Sequence, residues 1–217
     1  MSNSIPATSA RYAICRYPTT LIDIWRNKRG EQFVLRPVLP QDKPLLQEFY
    51  SSLSPLSRRM RFHGAVNALS PSTLNYMSDI DYDHHLALVV TFVNEGVEII
   101  VADARYVIDA SQRGGEFAIA VSDVWQRRGI AERAMTGLCK AAKLQGLDWL
   151  WGDVLMDNGA MLGLMRKAGF YQSAAGEESG MVRVERNLAK ATAPVKTHKP
   201  GPLGLLAQWL VAGRSYA

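Results

Sequence analysis

Glu116, Gln126, Arg127, Arg128 and Gly129 fall in one stretch. A strand-like segment, Glu116–Val121, runs through a short loop into a long helical pattern opening at Ile130-Ala131. A strand feeding a helix through a glycine loop leaves the first helical amides without partners and sets the positive end of the helix dipole beside them. Such a junction suits an anion, phosphate above all, and Gly129 lets the backbone approach it with no Cβ in the way. A plain turn would use a glycine at the same place. Glu116, at the far end of the strand, brings different chemistry: a carboxylate able to take a proton. An amine acceptor arrives as ammonium, and with a lysine pKa of ~10.4 its neutralisation at pH 7 costs ~4.6 kcal/mol. A solvated edge carboxylate, or an ion pair with nearby Arg113, is the structural alternative for Glu116.

A second segment follows, Asn158-Gly-Ala-Met161-Leu-Gly-Leu164-Met-Arg-Lys167-Ala-Gly169-Phe170. Together, Gln126-Arg127-Arg128-Gly129-Ile130-Ala131 and this segment resemble the two cofactor motifs of the GNAT family of N-acetyltransferases. The likeness runs from Val34 to about Glu185. It is nearest to the acetyltransferase domain of the Pat-type bacterial protein lysine acetyltransferases, on Leu35-Arg36-Pro37, Ser57-Arg58-Arg59-Met60-Arg61-Phe62 and Glu116-Phe117-Ala118. The resemblance implies an acetyl-CoA site, with the pyrophosphate on the amides of Arg127, Arg128, Gly129, Ile130 and Ala131, and with Gln126 and Asn158 beside the cofactor. Pantetheine would lie between the splayed strands Glu116–Val121 and Trp149–Leu155. A backbone N–H near Val121 would polarise the thioester carbonyl, a donor typically worth ~3 kcal/mol in the transition state. Glu116 occupies the position of the family's catalytic glutamate. One departure stands out: Met165 occupies the place where many relatives carry a tyrosine that protonates the leaving thiolate. A thiol of pKa ~8.5 is a tolerable leaving group unaided, and Tyr171 is expected to serve core packing.

The elements that must position these residues read as follows. Gln32–Pro37 alternates like a strand. Asp42 is expected to cap a helix reaching about Leu53, Ser54–Phe62 reads as a second helix, and Ser70-Pro71 opens a third. Leu86–Val93 and Val97–Val107, parted by Asn94-Glu95-Gly96, read as an antiparallel hairpin. Glu116–Val121 is a strand, and Gly129–Leu144 is a helix with Ile130, Ala134, Leu138 and Ala141 on one face. Then come strand Trp149–Leu155, helix Gly159–Ala168 stopped by Gly169, and a last hairpin of Phe170–Ser173 with Met181–Arg186. This order gives an α/β domain. The resemblance specifies it as the GNAT fold: a mixed, mostly antiparallel twisted sheet with splayed central parallel strands, flanked by helices.

Composition bounds the rest. The chain has 217 residues, 47% hydrophobic and 21% charged, with two cysteines and a formal charge of +5. That is an ordinary globular composition with no disulfide framework. Residues 1–30 hold five basic residues against Asp23, residues 188–217 hold four and no acid, and residues 31–187 are therefore net −3. The basic excess lies in the two ends, which argues against a nucleic-acid face. The expected organisation is a basic extension over 1–30, the acetyltransferase domain over 31–187, and a basic linker with an apolar tail over 188–217. The tail, Leu203–Ala212, is expected to dock on the domain or on a second subunit as a homodimer contact. No apolar run approaches the ~20 residues of a membrane span and no secretory signal is visible, so a cytoplasmic protein is expected.

No metal is expected. Asp79, Asp81 and Asp83 lack a calcium loop's glycine and closing acid, and adjacent His84 and His85 point to opposite faces of an extended segment. The same acidic cluster, with Glu177 and Glu178, could instead attract a cationic acceptor. Arg58, Arg59 and Arg61 are expected to form an exposed helix face or to meet a cofactor phosphate. The acceptor is expected to be a primary amine, either a protein lysine or a small amine. A non-catalytic acyl-CoA-binding module is the alternative function.

Overall fold

The computed structural model describes residues 17–173 and 180–189; the expected tail and the loop carrying Glu177 and Glu178 lie outside them. Eight strands form one sheet: β1 (Asp23–Arg26), β2 (Gln32–Pro37), β3 (His85–Asn94), β4 (Val97–Ile108), β5 (Gly114–Val121), β6 (Trp149–Leu155), β7 (Tyr171–Ser173) and β8 (Met181–Asn187). Their order is β1-β2-β3-β4-β5-β6-β8-β7. Every neighbouring pair is antiparallel except β5 with β6. The helices are α1 (Lys43–Ser52), α2 (Pro55–Phe62), α3 (Pro71–Ser78), α4 (Ile130–Leu144) and α5 (Gly159–Lys167).

The mixed α/β reading therefore holds, and most elements fall where periodicity puts them. Strand β1 has no counterpart in the sequence reading. Its four residues form because Asn27 and Gly30 close a turn onto β2, with Asn27 N–H donating to Glu31 O at 3.0 Å, and because Trp25 stacks on Phe33. Asp42 stands at the start of α1 but does not cap it. Its carboxylate instead accepts from the Leu39 amide and from both terminal nitrogens of Arg36. A charge-assisted pair with arginine outweighs a single amide bond there. Ser54 and Ser70 do cap, accepting from the amides of Ser57 and Thr73.

Helices cover both faces. Helix α4 packs across β3, β4 and β5 through Ile130, Ala134, Leu138 and Ala141, all buried. Helix α1 lies on the other face of β4, where Tyr50 donates to Asp103. That face holds a buried polar network. Arg105 gives Nε and Nη2 to Asp103 Oδ2 at 3.0 and 2.7 Å, and Nη1 to the Met77 carbonyl at 3.2 Å. His85 stacks on Tyr76 beneath it, and burial, then the charges of Arg105 and Arg61, hold its pKa well below the usual imidazole value. Removing the anion strands a buried cation: Asp103→Ala should cost about 3–5 kcal/mol, read from urea unfolding.

Candidate active site

The hydrogen-bond register of β5 fixes what its backbone can do. Asp109 N–H donates to Gly114 O and Ser122 N–H to Val101 O, both at 2.9 Å. Antiparallel neighbours alternate between bonded and non-bonded pairs, so the even-numbered residues from 114 to 122 are the ones bonded to β4. The odd-numbered ones, Phe117, Ile119 and Val121, turn their peptide groups toward β6. Yet β6 accompanies β5 only through three pairs, Gly114↔Trp149, Gly115↔Leu150 and Glu116↔Trp151. Beyond Glu116 the strands part while each runs on. Ile119 and Val121 therefore present backbone groups to a gap rather than to a strand.

At the open end of the gap the chain passes through a 3-10 turn, Asp123–Trp125, and reaches α4. Arg127 (φ 60°) and Gly129 (φ 80°) are both left-handed. For arginine this conformation costs ~1–2 kcal/mol; glycine adopts it without penalty. No side chain caps α4, and the first backbone acceptor on this turn is the Gly129 carbonyl, which takes Arg133 N–H at 3.1 Å. The amides of Ile130, Ala131 and Glu132 precede that bond, at the positive end of a 15-residue helix. A Cβ on Gly129 would meet nothing within 4 Å, so the space over the loop is open. The backbone groups present thus fit a diphosphate.

Three side chains of the motif, those of Gln126, Arg128 and Ile130, are engaged within the protein. Gln126 Nε2 donates to Val121 O at 3.2 Å and to Ser57 Oγ at 3.3 Å. Arg128 pairs with Glu31 at 3.2 Å and lies over the Trp125 ring. Ile130 is buried in the core. Asn158 caps α5, its Oδ1 accepting from Met161 N–H at 3.1 Å, which leaves its amide nitrogen for a cofactor.

Helix α2 forms the facing wall. Asp123 clamps its start, accepting from Ser54 N–H, Ser54 Oγ–H and Ser57 Oγ–H at 2.7–2.9 Å. Burial opposes that charge, but these bonds hold the Asp123 carboxyl below its ordinary pKa. From this anchor α2 runs toward the closed end, where a cleft is lined by Arg61, His63, Glu116, Asp153 and Asn158, with apolar residues of β5, β6 and α5 between them. Glu116 is 3% exposed, which excludes a solvated edge carboxylate. Arg113 pairs with Asp148 instead, at 2.5 Å. Asp153 is held bidentately by Arg183 at 2.9 and 2.8 Å, and that guanidinium lies 4.3 Å from the Trp151 ring centroid. Arg183 also feels the charge of Glu116.

The structure places Glu116 and Asn158 in one cleft lining and the Gly129 loop at the other end of the gap. Sequence reasoning missed His63, Asp153 and the Asp123 clamp; a lone aspartate inside the apolar run of β6 was the available signal for Asp153. Arg59 is exposed and meets Asp157, whereas Arg61 is buried, against the expectation of an exposed face. Met165 is 1% exposed and belongs to the core. Tyr171, expected to pack in the core, is 47% exposed because β7 is an edge strand; its hydroxyl donates to Glu185 at 3.3 Å. The acidic segment is a closed turn, Asp81 Oδ1 accepting the amides of Asp83, His84 and His85. Among the described residues no cluster of three metal-ligating side chains occurs, and no helix is long and apolar enough to cross a membrane.

Comparison with known proteins adds to this geometry. The model of the acetyltransferase (GNAT) family matches residues 48–170. An acetyltransferase of Pseudomonas aeruginosa is 28% identical over 153 residues, covering 70% of this chain and 82% of that protein. The acetyltransferase Pat of Mycolicibacterium smegmatis is 34% identical over 146 residues, 65% of this chain; the match spans only 42% of that protein's length. Among solved structures, the GNAT domain of S. lividans PAT superposes with a TM-score of 0.73 at 25% identity, covering 79% of this chain and 99% of that one.

Proposed function

Because the chain belongs to the acetyltransferase (GNAT) family and is an acetyl-CoA-dependent N-acetyltransferase, we propose that it transfers the acetyl group to a primary amine by direct attack, and that this amine is the side chain of a protein lysine. What supports the lysine is the resemblance to Pat-type protein lysine acetyltransferases, a group to which the relatives Pat and S. lividans PAT tie this chain. The observation that carries the reading is the parting of β5 from β6 just past Glu116. It opens a slot whose one edge is a row of backbone groups, with a carboxylate at its closed end and an anion cradle at its open end.

In this reading the amides of Arg127 to Ala131 hold the diphosphate and Val121 bonds the pantetheine arm. Val121 stands five residues from Glu116, about 17 Å along an extended strand, too far for one group to polarise the thioester while the other takes the amine's proton. Ile119, about 10 Å from Glu116 on the same rise, faces the same gap, and its N–H is the better donor to the thioester carbonyl. Glu116 removes a proton from the arriving ammonium through an intervening water. Asn158 steadies the cofactor from α5.

The test is release of free thiol from acetyl-CoA in the presence of a lysine-containing peptide or a small primary amine, with the amide product identified by mass spectrometry. Amine-dependent release with the peptide outpacing the small amine is the expected result. Preference for the small amine would replace the lysine assignment, and tight coenzyme A binding without transfer to any amine would indicate an acyl-CoA-binding module.

A further inference from the structure

Transfer from a thioester to an ammonium acceptor removes two protons from nitrogen. One leaves before attack, because ammonium has no lone pair; the other leaves as the carbon–nitrogen bond forms. The carbon–sulfur bond then breaks, its electron pair goes to sulfur, and one proton is needed there to give the thiol. The other proton ends in solvent. Glu116 can hold one proton at a time, and Met165 supplies none.

Four ionisable side chains line the cleft among the described residues: Arg61, His63, Glu116 and Asp153. Arg61 stays protonated at any working pH. Asp153 carries a bidentate arginine. His63 is left. It ends α2 in the left-handed conformation, φ 57° and ψ 22°, a common helix-ending geometry that histidine adopts more readily than most residues, and there it lines the cleft beside Glu116 and Asp153. A neutral imidazole carries one N–H donor and one acceptor nitrogen. Burial, then the charge of Arg61, pushes its pKa below the ordinary imidazole value, with Asp153 pulling the other way, so the ring is neutral at pH 7.

Resting on the acetyl-transfer reading above, we propose that His63 is a second catalytic residue: its imidazole takes the proton released as the carbon–nitrogen bond forms and delivers it to the departing sulfur. Glu116 takes the first proton and returns it to solvent. Nitrogen loses two protons, sulfur gains one, solvent gains one, and both catalytic groups end as they began.

The test uses His63→Asn, since asparagine tolerates the left-handed conformation. We expect an unchanged coenzyme A affinity by calorimetry, an unchanged melting temperature, and a kcat lower by about 10²-fold that added imidazole partly restores. The pH profile provides a second readout. Wild-type activity should fall as the pH drops through a pKa below 6.5, and the variant should lose that limb. Arg61, Glu116, Asp153 and, behind it, Arg183 also face the ring, so its titration is followed directly by NMR over the same range. An active wild type with an equally active variant, or a loss of rate matched by a loss of coenzyme A affinity and deaf to imidazole, overturns the assignment of His63 alone. A wild type that releases no thiol with any amine overturns the acetyl-transfer reading as well.

Discussion

Replacing Glu116 by Gln should leave coenzyme A affinity within about twofold of wild type and lower kcat with an amine acceptor by about 10²–10³-fold. The glutamine has nearly the same shape, so the buried position at the last β5–β6 pair is kept and the fold is not disturbed. What it loses is the capacity to accept a proton. The variant must wait for acceptor already deprotonated in solution. For a lysine of pKa ~10.4 that fraction rises about tenfold per pH unit between 7 and 9. The defect should therefore shrink by the same factor as the pH is raised, as steady-state rates across that range would show. Unchanged turnover at pH 7 would remove Glu116 from the mechanism.

The second large effect should come from Gly129→Ala. At φ 80° an alanine costs about 1 kcal/mol. Its methyl would point into the open space over the loop, where a diphosphate has to approach. We expect the affinity for coenzyme A to fall at least about tenfold while urea unfolding shows only that modest strain. Gly146 is the matched control: it has φ 83° and lies just past the far end of α4, again with nothing within 4 Å of a Cβ. Gly146→Ala should lose the same stability and keep the affinity. Equal affinities in the two variants would mean that the Gly129 loop is a turn and nothing more.

Much of this architecture can be read from residue patterns, and the failures have identifiable causes. Strand β2 and helix α4 follow hydrophobic period because each buries one face, and β3, β4 and β5 stand out as apolar runs because they are buried on both faces. Strand β1 escapes because four residues cannot establish a period; it exists through its turn and through Trp25 on Phe33. Asp42 departs from its expected cap because local cap preference says nothing about Arg36, whose two bonds it takes instead. Tyr171 departs from its expected core place because an aromatic beside Gly169-Phe170 looks internal until the strand order puts β7 at the edge.

The same division holds at the site. The Gly129 loop and Glu116 are local patterns and can be seen in the chain. The slot between them depends on where a parallel ladder stops, and a ladder's length is set by two strands distant in sequence. The facing wall depends on Asp123 gripping Ser54 and Ser57, residues 66 or more positions away. His63 becomes visible only when that wall is in place. Tertiary packing, not local propensity, assembled those parts.

The reading depends most on the amides around Gly129 seating the diphosphate of a thioester cofactor. Calorimetric titration of coenzyme A into the 217-residue chain tests this most directly. A saturable heat at micromolar concentrations, competed by acetyl-CoA and weakened in Gly129→Ala, is the predicted result. No heat and no competition at millimolar coenzyme A would contradict it.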